Sequence, residues 1–117
     1  MVTAEELQSM LTLHGGHLTR VEVPPGWMDL VAECHRKLVR IYPEYKLSQV
    51  KEKFGTLRFY MTALTDEMRA AIQTAEEASA ETCELCGASG VLQSQGWFKT
   101  LCDRHHEESE AKKLARH

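Results

Sequence analysis

Gln49-Val50-Lys51-Glu52-Lys53-Phe54-Gly55-Thr56-Leu57-Arg58-Phe59-Tyr60 is the stretch that decides the fold. Within residues 46–61 it reads as a β-hairpin around Phe54-Gly55, because apolar and charged side chains alternate at the period of a strand. Alternation places Val50 and Phe54 on one face, with Leu57, Phe59 and Met61 sharing a face on the return strand. The opposite face collects Gln49, Lys51, Lys53, Arg58 and Tyr60. One face is core and the other is basic with an aromatic. A slip of one residue would bury the charges, so register and exposure are linked.

On both sides of the hairpin the period changes to that of helices. Upstream, Trp27, Leu30, Val31, Cys34, Leu38 and Ile41 recur at three- and four-residue spacing and form one buried face, ended by Pro43. Thr3 and Glu6 make a candidate capping box for a first helix with an apolar stripe of Leu7, Met10, Leu11 and Leu13, stopped by Gly15-Gly16. Thr19–Val23 alternates as a short strand before Pro24-Pro25-Gly26. Downstream, Thr65 caps a third helix whose Met68, Ile72 and Ala75 point inward, and the Ala/Glu-rich run 70–82 favours helix. Residues 1–82 are thus expected to form an α+β body, the second helix packed on the hairpin. Trp27, Leu30, Leu38, Val50, Leu57 and Phe59 are its expected core.

Residues 83–117 carry different chemistry. Cys83-Glu84-Leu85-Cys86-Gly87 and Leu101-Cys102-Asp103-Arg104-His105 give C-x2-C, a fifteen-residue interval and C-x2-H. That is the paired-knuckle spacing of a small zinc ribbon. Two ligands three residues apart grip one tetrahedral ion from a tight turn, Gly87 allows such a turn, and a second turn completes the cage. Cys83, Cys86, Cys102 and His105 are therefore the expected ligands of one structural zinc, with His106 as an alternative fourth. Val91-Leu92 and Trp97-Phe98 would be short strands turning near Gln95-Gly96, and an exposed helix would follow Asp103. So small a module draws much of its folding free energy from the metal, on the order of 10–16 kcal/mol in comparable peptides. A disulfide would be unusual in a cytoplasmic chain and would leave Cys102 unexplained. Cys34 fits a small core residue, and His14 and His17 fit surface histidines at a helix end.

An enzyme lacks its parts. Three thiolates and a histidine close the shell that a catalytic zinc keeps open. No His-x-Glu precedes Cys83 as in zinc deaminases, and no phosphate loop or nucleophile elbow occurs. Asp103, His105, His106, Glu107 and Glu108 could in principle hold a nuclease metal, but consecutive residues there read better as an exposed helix.

The chain has 117 residues, 43% hydrophobic and 26% charged, which suits one domain or a small domain with an appendage. Collagen-like, disulfide-dense and disordered classes are excluded. Without an apolar run of membrane-spanning length or a signal-peptide start, the expectation is a soluble, cytoplasmic protein. Net charge −3 disfavours nucleic-acid binding by bulk charge. Locally the balance reverses: Arg36, Lys37, Arg40, Lys46, Lys51, Lys53 and Arg58 outnumber Glu44 and Glu52 across residues 35–60, between acidic flanks.

Pro25-Gly26-Trp27, the segment Gln49–Tyr60 and the Cys83–His105 knuckles together resemble small, largely uncharacterised proteins encoded by bacteriophages and prophages. The resemblance covers most of residues 25–105, and Val-Lys-Glu-Lys-Phe-Gly with Leu-Arg-Phe-Tyr is its most specific part. Those proteins carry a cysteine where this chain has His105, a replacement that zinc tolerates. The resemblance implies a phage or prophage origin and no particular activity. The expected function is an interaction protein that binds and modulates a host protein complex, in the inhibitory direction, with an antiviral defence system such as CRISPR as a special case. Lys51, Lys53, Arg58 and Tyr60 are the expected partner-binding residues. The alternative is a zinc-ribbon regulator that binds nucleic acid through the same face.

Overall fold

The computed structural model describes residues 2–15, 21–61, 64–94 and 97–115. The protein is α+β. Among these residues the order is α1 (Ala4–Gly15), β1 (Val21–Glu22), a 3-10 turn (Pro25–Trp27), α2 (Met28–Ile41), β2 (Leu47–Lys53), β3 (Thr56–Met61), α3 (Asp66–Ser79), β4 (Val91–Gln93), β5 (Lys99–Leu101) and α4 (Asp103–Ala115). One sheet has the order β1-β2-β3, with β1 parallel to β2 and β2 antiparallel to β3; β4 and β5 form a separate antiparallel pair.

The helices start where local chemistry dictates. Thr3 Oγ1 accepts from Glu6 N at 3.1 Å, and Thr65 Oγ1 accepts from Met68 N at 3.2 Å. The inward faces of the three helices and the sheet meet in one core. It includes Leu7 and Leu11 of α1, Val31, Cys34 and Leu38 of α2, Val50, Leu57 and Phe59 of the hairpin, and Met68, Ile72 and Ala75 of α3, with Trp27 fully buried. Leu30 and Ile41 are half-buried at its margin and Leu13 is exposed. His35 and Tyr45 are buried as well, joined by a hydrogen bond of 2.5 Å between His35 Nδ1 and the Tyr45 hydroxyl.

The hairpin register is Gln49↔Tyr60, Val50↔Phe59, Lys51↔Arg58, Glu52↔Leu57 and Lys53↔Thr56, with a bulge between Leu47 and Gln49. The bulge lets Leu47 and Val50 both face the core although they are three residues apart. Phe54 departs from the expected alternation. Its φ of 54° and Gly55's φ of 82° form a two-residue turn with both residues left-handed, which takes Phe54 out of the strand and leaves it 61% exposed. The Phe54 ring instead lies edge-on to Phe98, centroids 5.9 Å apart.

α3 completes the sheet edge. Leu57 N donates to Ser79 Oγ at 2.8 Å and Phe59 N to Glu76 Oε2 at 3.0 Å. These amides point away from β2, so two side chains of α3 satisfy what an edge strand leaves open. No helix among the described residues is long and apolar enough to cross a membrane.

Candidate metal centre

The first knuckle is a turn held by its own backbone. Cys83 N donates to Ala88 O at 2.7 Å and Gly87 N to Cys83 O at 2.9 Å, with Gly87 at φ 82°. That φ favours glycine directly after the second cysteine. Glu84 N donates to Thr100 O at 2.9 Å, which ties the first knuckle to β5. β5 then delivers Cys102, and the first turn of α4 delivers His105, with His106 N donating to Cys102 O at 2.9 Å. β4 and β5 lie slightly later than the sequence suggests: β4 runs on to Gln93, and β5 starts at Lys99 rather than at Trp97. The expected turn at Gln95-Gly96 lies outside the described residues.

Four donors converge. Cys86 Sγ and Cys102 Sγ are 3.8 Å apart, and His105 Nδ1 is 3.2 Å from Cys102 Sγ and 3.5 Å from Cys83 Sγ. All four ligand atoms lie within 4.8 Å of one another, an arrangement that could hold a metal ion. An ion with tetrahedral sulfur bonds of about 2.3 Å sets its sulfurs about 3.8 Å apart, so the spacing fits. His106 belongs to a different surface, a groove between the β4–β5 pair and α4. The two adjacent histidines are thus separated by the helix, one turned to the cysteines and the other away.

The thiols are electrostatically linked. Burial pushes Cys83 up, but backbone bonds from Cys102, Leu85 and Cys86 outweigh it and bring the thiol down to about 6. At Cys86 a backbone bond from Ala88 lowers the value, yet lost solvation and the neighbouring thiols of Cys83 and Cys102 leave it raised. The two thiols are thus pushed in opposite directions, and a bound divalent cation would favour the thiolate form of its cysteine ligands. Cys34 stands apart in the core, where burial drives it up to about 12, its Sγ 3.9 Å from Ala71 O.

The knuckles are joined to the body at two points that the sequence alone does not reveal. Gly26 N donates to Glu84 O at 2.7 Å and Trp27 Nε1 to Thr82 O at 2.8 Å. A Cβ on Gly26 would lie 2.1 Å from Cys83 O. At the second point, Thr100 Oγ1 donates to Gly55 O at 2.8 Å, and a Cβ on Gly55 would meet Leu92 Cδ1 at 2.6 Å. Pro25-Gly26-Trp27, the Phe54-Gly55 turn and the knuckles thus form one contact region. Their only signal in the sequence is a glycine next to an aromatic in two places.

The expected partner-binding residues lie on the sheet face opposite the core. Lys51 and Arg58 are directly paired across the strands and half-buried, while Lys53 and Tyr60 are exposed. Glu22 of β1 stands opposite Lys51 in the register. Arg58 Nε is buried without a hydrogen-bond partner among the described residues. His14 is a half-buried residue rather than a plain surface histidine: its ring stacks on Tyr45 at 4.2 Å and its Nδ1 lies 3.0 Å from Tyr45 O. His17 lies outside the described residues. Comparisons with family models, curated proteins and solved structures return no match to this chain.

Proposed function

We propose that this protein is a non-enzymatic interaction factor of phage or prophage type, built around one structural zinc, that binds and inhibits a host protein complex in the cytoplasm. An antiviral defence system such as CRISPR is the special case that such an origin suggests. The observation that carries the reading is the strand face of Lys51, Lys53, Arg58 and Tyr60. Like charges directly opposite on neighbouring strands are unfavourable, yet Lys51 faces Arg58, and the ion pairs among the described residues involve neither. A carboxylate-bearing partner would relieve that repulsion, and the guanidinium of half-buried Arg58 is of the planar kind that suits a carboxylate. Tyr60, 40% exposed, adds an amphipathic ring of the kind that anchors interfaces. Phe54, held exposed in a left-handed turn beside Lys53, extends the same edge.

Zinc is the metal that three thiolates and an imidazole favour in tetrahedral geometry. Its role here is to hold the knuckles together; with four protein ligands it has no position for substrate.

Immobilised protein exposed to nuclease-treated bacterial host lysate should retain a discrete protein complex. Replacing Lys51, Lys53 and Arg58 by Glu should abolish retention while metal content and Tm stay near wild type. Unchanged retention by the folded triple variant contradicts the assignment. The same face also suits phosphates and a stacked base, and that second reading predicts retention lost on nuclease treatment and steeply weakened by salt.

A further inference from the structure

The β4–β5 pair has two faces, and the body occupies only one. Leu92 and Thr100, opposite each other in the register, turn toward the hairpin, where Thr100 bonds Gly55 O. Alternation turns Gln93 and Lys99, the next pair in the ladder, to the other side. There they line a groove of about 830 Å3 with Trp97 and with His106, Lys112 and Lys113 of α4. That size lies within the roughly 300–1,000 Å3 typical of ligand clefts.

The groove has an aromatic platform and unspent charge. Trp97 is 84% exposed, in contrast to Trp27 at 0% in the core. Lys113 is paired with Glu110 at 3.3 Å, so that pair neutralises itself. Lys112 has no carboxylate within salt-bridge distance among the described residues; Lys99 has none at that distance either, but lies near enough to Glu84 to act on it as a counter-charge. α4 itself buries no residue, so its charges are not devoted to packing.

We propose that this groove binds single-stranded nucleic acid, with a base stacked on Trp97 and flanking phosphates on Lys99 and Lys112. A flat exposed indole beside lysines is the combination that single strands use, stacking for the base and charge for the backbone. An acidic peptide would satisfy the lysines, but the groove is lined mainly by polar side chains and offers no deep apolar pocket for an anchor residue. The chain's net charge of −3 does not oppose this, because the relevant potential is local and focused by the groove. The groove lies on the side of the β4–β5 pair away from the hairpin, and its proposal does not depend on the reading given for the strand face.

The experiment titrates the full-length, metal-replete protein with unlabelled single-stranded oligodeoxy- and oligoribonucleotides at low salt, following tryptophan emission. Since Trp27 is buried, quenching reports Trp97. Single strands should quench, with affinity falling as salt rises, and the deoxy and ribo arms show which sugar is preferred. Trp97→Ala, followed by anisotropy of a labelled oligonucleotide, should weaken binding about tenfold or more, as for one lost stacked base. Lys99→Glu with Lys112→Glu should weaken it at least as much, whereas reversal of Lys51 and Arg58, which lie further along the hairpin from its turn, should leave it within about twofold. Metal content checks that each variant is folded. Absence of quenching by any single strand overturns the proposal, as does equal response to duplex or to polyglutamate; the latter would make the groove an acidic-peptide surface.

Discussion

Gly55 and Gly26 are the residues at which the knuckles and the body meet. Any side chain at either position pushes the two apart: at Gly55 through a left-handed backbone and Leu92, at Gly26 through the Cys83 carbonyl. Gly55→Ala and Gly26→Ala should each cost about 1–3 kcal/mol, the usual penalty for overpacking or a strained φ. Denaturant unfolding of the metal-bound protein measures this, and a loss near zero at both would show that the contact is not maintained in solution. His35 makes a second prediction. Burial, then His14 and Arg36, lower its pKa below the ordinary value of 6.5. A histidine that resists protonation when folded contributes stability above the unfolded pKa, and that stability is lost as pH falls from about 6.5 through the folded value. NMR titration of the His35 ring should give a midpoint below 6.5; one at or above it would reverse the sign. Neither residue class was legible beforehand. The paired knuckles announce their ligands by spacing, but a close backbone approach across many residues leaves no local pattern, and His35 lies within a helix face otherwise read as aliphatic.

Among the elements, β2 and β3 carry the strongest local pattern, and most of it survives in the structure. Val50, Leu57 and Phe59 are buried as alternation requires. Phe54 is the exception because a two-residue turn overrides the strand period. The helices were legible from the 3.6-residue period and their caps, since an amphipathic stripe is written in consecutive residues. The covering of β3 by Ser79 and Glu76 was not, because a polar side chain on a helix gives no sign that it will bond a distant strand. Leu57→Ala or Phe59→Ala should cost about 2–5 kcal/mol for the cavity created. Ser79→Ala should cost about 1–3 kcal/mol by leaving the Leu57 amide buried and unpaired. Thermal or chemical unfolding at fixed metal concentration measures all three; negligible change in the Leu57 and Phe59 variants would mean that the sheet presents its other face to the core.

At the scale of the molecule, the cluster of Cys83, Cys86, Cys102 and His105 and the body form a mutual support. The β4–β5 pair is too short to hold by its ladder alone, and α4 buries nothing. What fixes them is the four-donor cluster together with the Gly26 and Gly55 contacts. Chelation should therefore release residues 83–115 first, uncovering the Gly26 side of Trp27, while much of the α1–α3 helicity is retained. Circular dichroism and Trp emission before and after chelation test this, and simultaneous collapse of all helicity would show a single cooperative unit instead.

The central claim, a closed zinc site made by Cys83, Cys86, Cys102 and His105, is tested most directly by native mass spectrometry of the purified protein alongside its Cys83→Ser variant. The account predicts one zinc per chain in the wild type and its loss from the variant. Wild-type protein with no metal and four free thiols, or a Cys83→Ser variant that keeps a full equivalent of zinc, would contradict it.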